Sequence, residues 1–181
     1  MPQINVPEEF EEIYMEDPDH VEWLKSLNSP SDWDAAAEAC FWYKGDEHGF
    51  LNWLIEHPDM DCKTATTIFI RMGESLFSTG EEWSHFSQEQ LRELVYAVCK
   101  RSETRGFSRN AMFTPAEWEE TQLAFHNLMK KCNFPSDLPI PYAMFKPPLT
   151  QGGNDGAYEM GFGEGELVLK SEMDEFWDSK G

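Results

Sequence analysis

The sequence predicts a mainly α-helical protein: a single helical domain of about six helices, followed by an irregular Pro/Gly-rich C-terminal extension. Over the first 132 residues, apolar side chains recur at spacings of three and four rather than two, which is the period of one helix face. Capping residues and prolines divide this region into helix-length segments. Between residues 133 and 165, five prolines and six glycines exclude a long helix. We therefore expect an acidic helical domain over 1–132 and an extension over 133–181 that packs on it in part.

The first three predicted helices lie between residues 21 and 57. A short one runs from Val21 to Leu27 and carries Trp23, Leu24 and Leu27. The second begins at Ser31 and places two alanines, a cysteine and a phenylalanine on one stripe. The third runs from about Asp46 to His57, where Pro58 stops it because proline cannot continue a helix.

Three further helices are predicted between residues 61 and 131. Asp61 is expected to cap the fourth, and Gly73 to end it. The fifth and sixth each begin with a capping box, Ser87 with Gln90 and Thr114 with Glu117. Two lysines in the last turn of the sixth suit the negative end of the helix dipole.

The extension contains few regular signals. Leu167 to Leu169 has the composition of a short strand, and Met173 to Trp177 that of a helical turn. Aromatic side chains are expected to anchor the extension to the helical body. These are Tyr142, Phe145, Phe162 and Trp177.

Composition limits the possible partners. The 181 residues include 14 Lys and Arg against 34 Asp and Glu, so the formal net charge is −20. This excludes nucleic-acid binding through a basic surface, which needs cations against phosphates, and it disfavours docking on an anionic membrane. The 40% hydrophobic and 14% aromatic content argues against a disordered chain.

The cysteines and the N-terminal sequence both predict a cytosolic protein. Cys40, Cys62, Cys99 and Cys132 show neither a CxxC motif nor histidines at zinc-site spacing, so we interpret them as reduced thiols in the core. The chain has no 18-residue apolar run, and its first residues lack the basic and apolar regions of a secretory signal.

Acidic residues are concentrated at the front of the chain. Residues 1–61 hold 16 acidic and 2 basic side chains, residues 62–146 hold 10 of each, and residues 147–181 hold 8 and 2. Eight carboxylates crowd into fifteen positions with no basic residue among them. They are Glu8, Glu9, Glu11, Glu12, Glu16, Asp17, Asp19 and Glu22. Such crowding is self-repulsive, so it indicates either a solubilising surface or a docking face for a basic protein.

One segment offers metal-binding or general-base chemistry. His57, Asp59 and Asp61 place an imidazole and two carboxylates within five residues. The simpler interpretation is punctuation between helices, with the histidine ending one and Asp61 starting the next. No nucleophile motif is present, and the glycines between 161 and 165 are flanked by a glutamate where a phosphate would sit. We therefore predict no catalytic, cofactor-binding or metal-binding residue.

The stretch from Phe50 to Phe69, FLNWLIEHPDMDCKTATTIF, resembles the core of the DUF4274 domain, an uncharacterised bacterial family. The shared features are a Trp-containing helix that ends in a His-Pro-Asx turn, followed by Asp, Thr-Ala and an Ile-Phe helix. The resemblance covers residues 20–80. It implies a bacterial, helical, cytosolic domain, with Trp53 and Phe69 in the core, and it implies no activity.

These observations favour a non-enzymatic protein that binds a basic protein partner. The binding surface would come from the eight carboxylates of residues 8–22, together with the acidic C-terminal segment. A concrete version is an immunity or antitoxin-type inhibitor that neutralises a basic bacterial toxin. Two alternatives stay open: a small metal-dependent hydrolase that uses His57, Asp59 and Asp61, and a general adaptor module whose acidity serves only solubility.

Overall fold

The computed structural model describes residues 10–78, 85–109, 113–146, 156–161 and 165–179, without the side chains of residues 44, 172 and 175–177. The helices are α1 (Pro18–Ser26), α2 (Pro30–Ala39), α3 (Phe50–Glu56), α4 (Cys62–Phe77), α5 (Gln88–Thr104), α6 (Pro115–Lys131) and α7 (Lys170–Asp178). The strands are β1 (Glu12–Ile13), β2 (Tyr158–Met160) and β3 (Leu167–Leu169). A π-helical turn at Cys40–Lys44 follows α2, and a 3-10 turn spans Tyr142–Phe145. The mainly α fold class is confirmed, and the six predicted helices correspond to α1–α6.

The predicted caps are confirmed in three of the helices. Asp61 caps α4 by accepting the N–H of Lys63 at 2.8 Å. Both capping boxes form, with Ser87 and Thr114 as the capping residues of α5 and α6. Asp46 accepts the first two backbone N–H groups of α3, although that helix begins four residues later than predicted.

Three further predicted helix boundaries are wrong. Helix α1 begins at Pro18 rather than at Val21, with Asp17 as its cap. Ser29 rather than Ser31 caps α2, because its side chain accepts the N–H of Asp32 while Ser31 is already inside the helix. Gly73 does not end α4, which continues to Phe77. Gly73 is buried beside Leu128 of α6, and packing outweighs the roughly 1 kcal/mol that glycine costs inside a helix.

The core lies where α4 packs against α5 and α6, and it extends through α2 and α3. Trp33 is fully buried and donates its indole N–H to the Leu24 carbonyl at 3.0 Å, which joins α2 to α1. All four cysteines are buried and reduced, so their prediction as core thiols is confirmed. Trp53 is half-buried at the edge of the core, whereas Phe69 is fully buried.

The three strands form an antiparallel sheet in the order β1-β3-β2. The predicted strand at Leu167–Leu169 is therefore confirmed, and it is the central one. The predicted helical turn at Met173–Trp177 lies within α7. The inner face of the sheet is buried and includes Ile13, Tyr158 and Leu167.

The predicted aromatic anchors of the extension give a mixed result. Phe145 is buried and stacks on Phe125 of α6, with ring centroids 3.8 Å apart. Tyr142 is 58% exposed but makes a T-shaped contact with Phe125 of α6, with ring centroids 5.9 Å apart. Phe162 and the side chain of Trp177 lie outside the described residues. In the parts of the chain that the structure describes, no helix has both the length and the apolar character needed to cross a membrane.

Candidate functional site

The predicted acidic residues lie along β1, the turn that follows it and α1. Glu11 and Glu12 are exposed at β1, and Glu16 is exposed in the turn. Asp17 is half-buried as the capping residue of α1, which carries the exposed Asp19 and Glu22. Glu8 and Glu9 lie outside the described residues. The described members thus share one continuous segment and are solvent-accessible.

Local contacts engage some of these carboxylates. Asp17 accepts the backbone N–H of Asp19 at 2.9 Å, which satisfies one of the free donors at the start of α1. Glu22 pairs with Lys25 at 2.8 Å, an exposed helical pair that contributes less than about 1 kcal/mol. Glu12 accepts a hydrogen bond from the phenol of Tyr14.

Three arginines contact backbone carbonyls or an aromatic ring rather than the carboxylates of residues 11–22. Arg101 is buried and donates to backbone carbonyls between α3 and α4. Arg109 donates to the carbonyl of Ala143, and Arg92 lies over the ring of Tyr96. The acidity of residues 11–22 is therefore not neutralised by any of the three.

The strand register adds C-terminal side chains to the acidic segment. Glu12 of β1 is paired with Val168 of β3, which is paired with Glu159 of β2, so the three lie in one row across the sheet. Tyr14 follows β1 and Glu166 precedes β3, each two positions from a member of this row, so both continue the same face, and the charge of Glu166 acts on the Tyr14 phenol. We call this surface the acidic sheet face; it consists of Glu12, Tyr14, Glu159, Glu166 and Val168.

Tyr14 is the aromatic side chain of the acidic sheet face, and it is 39% exposed. Its hydrogen bond to Glu12, a degree of burial and the charges of Glu12, Glu166 and Glu16 together raise the pKa of its phenol. Residues more than 140 positions apart in the sequence thus surround the same ring. An exposed tyrosine among carboxylates combines an apolar contact area with negative potential.

Gly161 makes the packing of this face possible. A Cβ at Gly161 would lie 2.6 Å from the Glu166 carboxylate and 2.9 Å from a methyl of Val168. Its N–H also donates to the Glu166 carbonyl at 2.9 Å. The absence of a side chain therefore lets the Glu166 carboxylate lie over the strand end.

The His57, Asp59 and Asp61 side chains serve the connection between α3 and α4. His57 packs its ring against Trp33 and Trp53, with centroids 4.5 and 4.9 Å apart, and its Nδ1 accepts the N–H of Asp59. Asp61 is buried as the cap of α4, whereas Asp59 is exposed. Over the described residues, no three His, Cys, Asp or Glu side chains are grouped as a metal site requires.

A second cluster of charges, which the sequence did not reveal, joins α2 to α4 and α6. Asp34 lies inside α2 and is 92% buried. Its carboxylate accepts the Thr64 hydroxyl at 2.7 Å and lies 3.4 Å from the Lys63 ammonium. The same ammonium lies 3.1 Å from a carboxylate oxygen of Glu117.

The buried cluster has shifted ionisation. Burial raises the pKa of Asp34, and the neighbouring Lys63 only partly offsets that rise. Burial lowers the pKa of Lys63, but its two carboxylate partners raise it by more, so it stays an ammonium. Burial and the nearby Asp34 charge also raise the pKa of Glu38, one helical turn further along α2.

Glu38, Lys63 and Glu117 line part of a groove of about 480 Å³ between α4 and α6. Glu38 accepts the indole N–H of Trp42 at 2.9 Å, and the Arg71 guanidinium lies 4.5 Å from the Trp42 ring centroid. Trp42 stands on the π-helical turn, an irregularity found often at functional sites. We call this cavity the α4/α6 groove; its charged lining residues are Glu38, Lys63, Arg71, Glu74, Glu117, Glu120 and Lys131.

The chain was compared with protein families, curated proteins and solved structures. No family model, curated protein or solved structure matches it. The resemblance of residues 20–80 to the DUF4274 domain therefore stays a prediction. The function is argued from the site geometry alone.

Proposed function

We propose that this protein is a non-enzymatic binding protein whose acidic sheet face docks on a basic surface of a protein partner. The observation that carries the proposal is the position of the half-exposed Tyr14 among carboxylates from both ends of the chain. Tyrosine is enriched at the centres of protein interfaces, because it combines a large apolar area with a polar tip.

The charge distribution supports a basic partner. Exposed Glu11, Glu16, Asp19 and Glu22 continue the negative surface from the sheet onto the turn and α1. Complementary potential raises association rates by roughly 10- to 1000-fold and disfavours partners of like charge. A cationic surface would also relieve the repulsion among these carboxylates. Glu8 and Glu9, which the sequence predicts as part of the same binding surface, lie outside the described residues.

A more specific version is an immunity or antitoxin-type inhibitor in the bacterial cytosol. Its partner would be a toxin domain whose active-site surface is basic, as in enzymes that act on nucleic acids or nucleotides. Charge complementarity supports this version in the same way as any other basic partner. Depletion of the protein from its native host distinguishes it, because an immunity protein uncovers the toxicity of its partner and an adaptor does not.

The binding experiment compares two triple variants that remove the same charge at different places. E12Q/E159Q/E166Q neutralises the acidic sheet face, and E89Q/E93Q/E103Q neutralises three exposed glutamates of α5. The partner is captured at low salt, released at high salt, and its affinity is then measured by calorimetry with purified components. We expect at least tenfold weaker binding for the sheet variant and less than a twofold change for the α5 variant.

Two results would contradict the proposal. Equal losses for both triple variants would mean that net charge rather than the acidic sheet face attracts the partner. Unchanged binding of both, together with unchanged binding of Y14A, would assign the acidity to solubility alone. Circular dichroism and thermal unfolding of each variant separate these results from a loss of fold.

A further inference from the structure

An ion pair joins α4 to α6 at each end of the α4/α6 groove. Lys63 pairs with Glu117 where both helices begin, and Glu74 pairs with Lys131 at 2.8 Å where both helices end. The two helices therefore run side by side in the same direction. Between the two pairs, Thr67, Thr121 and Ala124 leave space for a ligand.

Arg71 lies in this space, where its positive charge acts on the Glu38 carboxyl. Its guanidinium packs on the Trp42 ring, and the described residues offer it no hydrogen bond or ion pair within bonding distance. A guanidinium presents a planar fork of donors, which matches a carboxylate. The aromatic support also restricts its side-chain freedom before a ligand arrives.

Glu120 supplies an opposite charge on the facing helix. It is exposed on α6, one turn after Glu117, and it makes no hydrogen bond or ion pair with the described residues. Measured from the Lys63–Glu117 end, Arg71 is eight residues along α4 and Glu120 is three residues along α6. At about 1.5 Å per residue, the two differ by roughly 7 Å along the groove. Because the helices are parallel, their side chains lean the same way and keep that offset.

The remaining charges limit the ligand class. Four glutamates line the groove, so a phosphate-rich ligand would meet repulsion. Two lysines and an arginine also line it, and they disfavour a polyamine. A ligand with one anionic and one cationic end, separated by a short apolar chain, meets neither penalty.

We propose that the α4/α6 groove binds a small zwitterion of the ω-amino-acid class, with its carboxylate on Arg71 and its ammonium on Glu120. The apolar chain between the two ends lies over Ala124 and the methyl groups of Thr67 and Thr121. The site is separate from the acidic sheet face, so the proposal stands whether or not a basic protein binds there.

Three probes of equal chain length test the ligand class. They are 6-aminohexanoate, hexanoate and hexylamine, which carry both charges, only the carboxylate and only the ammonium. Each is titrated into the ¹⁵N-labelled full chain, and binding is followed by backbone amide shifts. We expect saturable shifts confined to α4 and α6 with 6-aminohexanoate, at least fivefold tighter than with either single-charge probe.

Paired variants test the two contacts. R71Q is compared with R92Q, which removes an arginine that lies over a tyrosine on α5. E120Q is compared with E119Q, which changes an exposed neighbour that does not line the groove. We expect R71Q and E120Q to weaken 6-aminohexanoate at least fivefold, and R71K to bind weakly because lysine lacks the donor fork.

The outcomes that overturn the proposal are specific. If 6-aminohexanoate causes no saturable amide shifts up to millimolar concentration, the groove does not bind this class of ligand. If hexanoate binds as tightly as 6-aminohexanoate, Glu120 does not contact the ligand. If R71Q and R92Q weaken 6-aminohexanoate binding equally, Arg71 does not contact it. Thermal unfolding of every variant, with R71K as the conservative substitution, keeps a folding defect apart from lost binding.

Discussion

The Asp32 carboxylate accepts the backbone N–H of Tyr158 at 2.9 Å, which joins helix α2 to a strand 126 residues further along the chain. Gly156 lies against the same helix end. A Cβ on Gly156 would lie 2.6 Å from the Asp32 carboxylate and 2.8 Å from the Ser31 Cβ. This contact seats β2 and, through it, β3, so the acidic sheet face depends on a buried contact on the other side of the sheet.

G156A is therefore expected to loosen the sheet. The added methyl group has to displace either Asp32 or the strand, and overpacking of this kind costs about 1–3 kcal/mol of unfolding free energy. Urea unfolding measures the total loss. Hydrogen exchange should show faster exchange of the amides of 157–161 and 165–169.

G106A is the matched control for G156A. Gly106 has φ +68°, and nothing lies within 4 Å of its added Cβ, so its cost of about 1 kcal/mol comes from the left-handed backbone alone. Exchange of the sheet amides should be unchanged in this variant. Equal acceleration in both variants would show that the effect is global and not seated at Asp32.

A second prediction concerns the ionisation of Tyr14. The phenol donates to the Glu12 carboxylate, and this bond favours the neutral phenol over the phenolate. E12Q should lower the pKa of Tyr14 toward its ordinary value, and E166Q should lower it by less, because Glu166 acts only through its charge. A pH titration of ring-labelled tyrosine by NMR measures both.

E11Q provides the comparison for this titration. Glu11 is exposed and lies one residue before β1, and it is not among the groups that raise the pKa of Tyr14. E11Q should leave the pKa of Tyr14 unchanged within a few tenths of a pH unit. An unchanged pKa of Tyr14 in E12Q would contradict the hydrogen bond between Tyr14 and Glu12, and with it the described acidic sheet face.

The sequence predicted the features whose signals are local. Ser87 and Thr114 begin helices because each is followed three residues later by a side chain that completes a capping box. Gly73 misled the prediction, since a propensity cost near 1 kcal/mol is smaller than the gain from packing α4 on its neighbours. Where the energies of local and tertiary structure disagree, only the folded chain shows which is larger.

The acidic sheet face and the α4/α6 groove depend on pairings across long sequence separations. The excess of acidic residues at both ends was visible in the sequence, but nothing local places Glu166 beside Tyr14. Asp34 lies three residues after the predicted start of the second helix at Ser31, and nothing local marks it as buried. Its true partners, Thr64 and Lys63, are about thirty residues away, and the spacing within α2 carries no sign of them.

A third prediction concerns Arg101, which is 96% buried at the end of α5. Its guanidinium donates to the carbonyls of His57 at 2.6 Å, Gly106 at 3.0 Å and Pro58 at 3.2 Å, and also to that of Ile55. R101A would leave buried acceptors without donors, so we expect a loss of about 3 kcal/mol or more in unfolding free energy.

Arg105 offers a control one turn away. Its guanidinium pairs with Glu56 at 2.8 Å, but both side chains are at least half exposed, so R105A should cost less than about 1 kcal/mol. Chemical denaturation of both variants measures the difference. R101K should recover only part of the stability, because one ammonium cannot reach four carbonyls arranged around a planar fork. Equal losses for R101A and R105A would contradict the structural role of Arg101.

A final prediction concerns the pH dependence of stability through Asp34. Burial raises the pKa of this carboxyl in the folded protein, so the folded state holds its proton to higher pH than the unfolded state does. Stability therefore falls as the pH rises from the unfolded pKa of about 3.9 through the raised folded value. D34N removes this contribution, so its unfolding free energy relative to the wild type should rise across the same window.

Two neighbours have to be separated from this effect. Burial raises the pKa of Glu38 in the same direction, whereas hydrogen bonds to Thr114 and Lys63 outweigh desolvation and lower that of Glu117. E38Q should therefore change the slope in the same sense as D34N, and E117Q in the opposite sense. Urea unfolding at several pH values between about 3 and 7 measures all three, with the E117Q effect at the acidic end because the pKa of Glu117 is lowered. A D34N profile parallel to the wild type would mean that Lys63 fully compensates the buried charge.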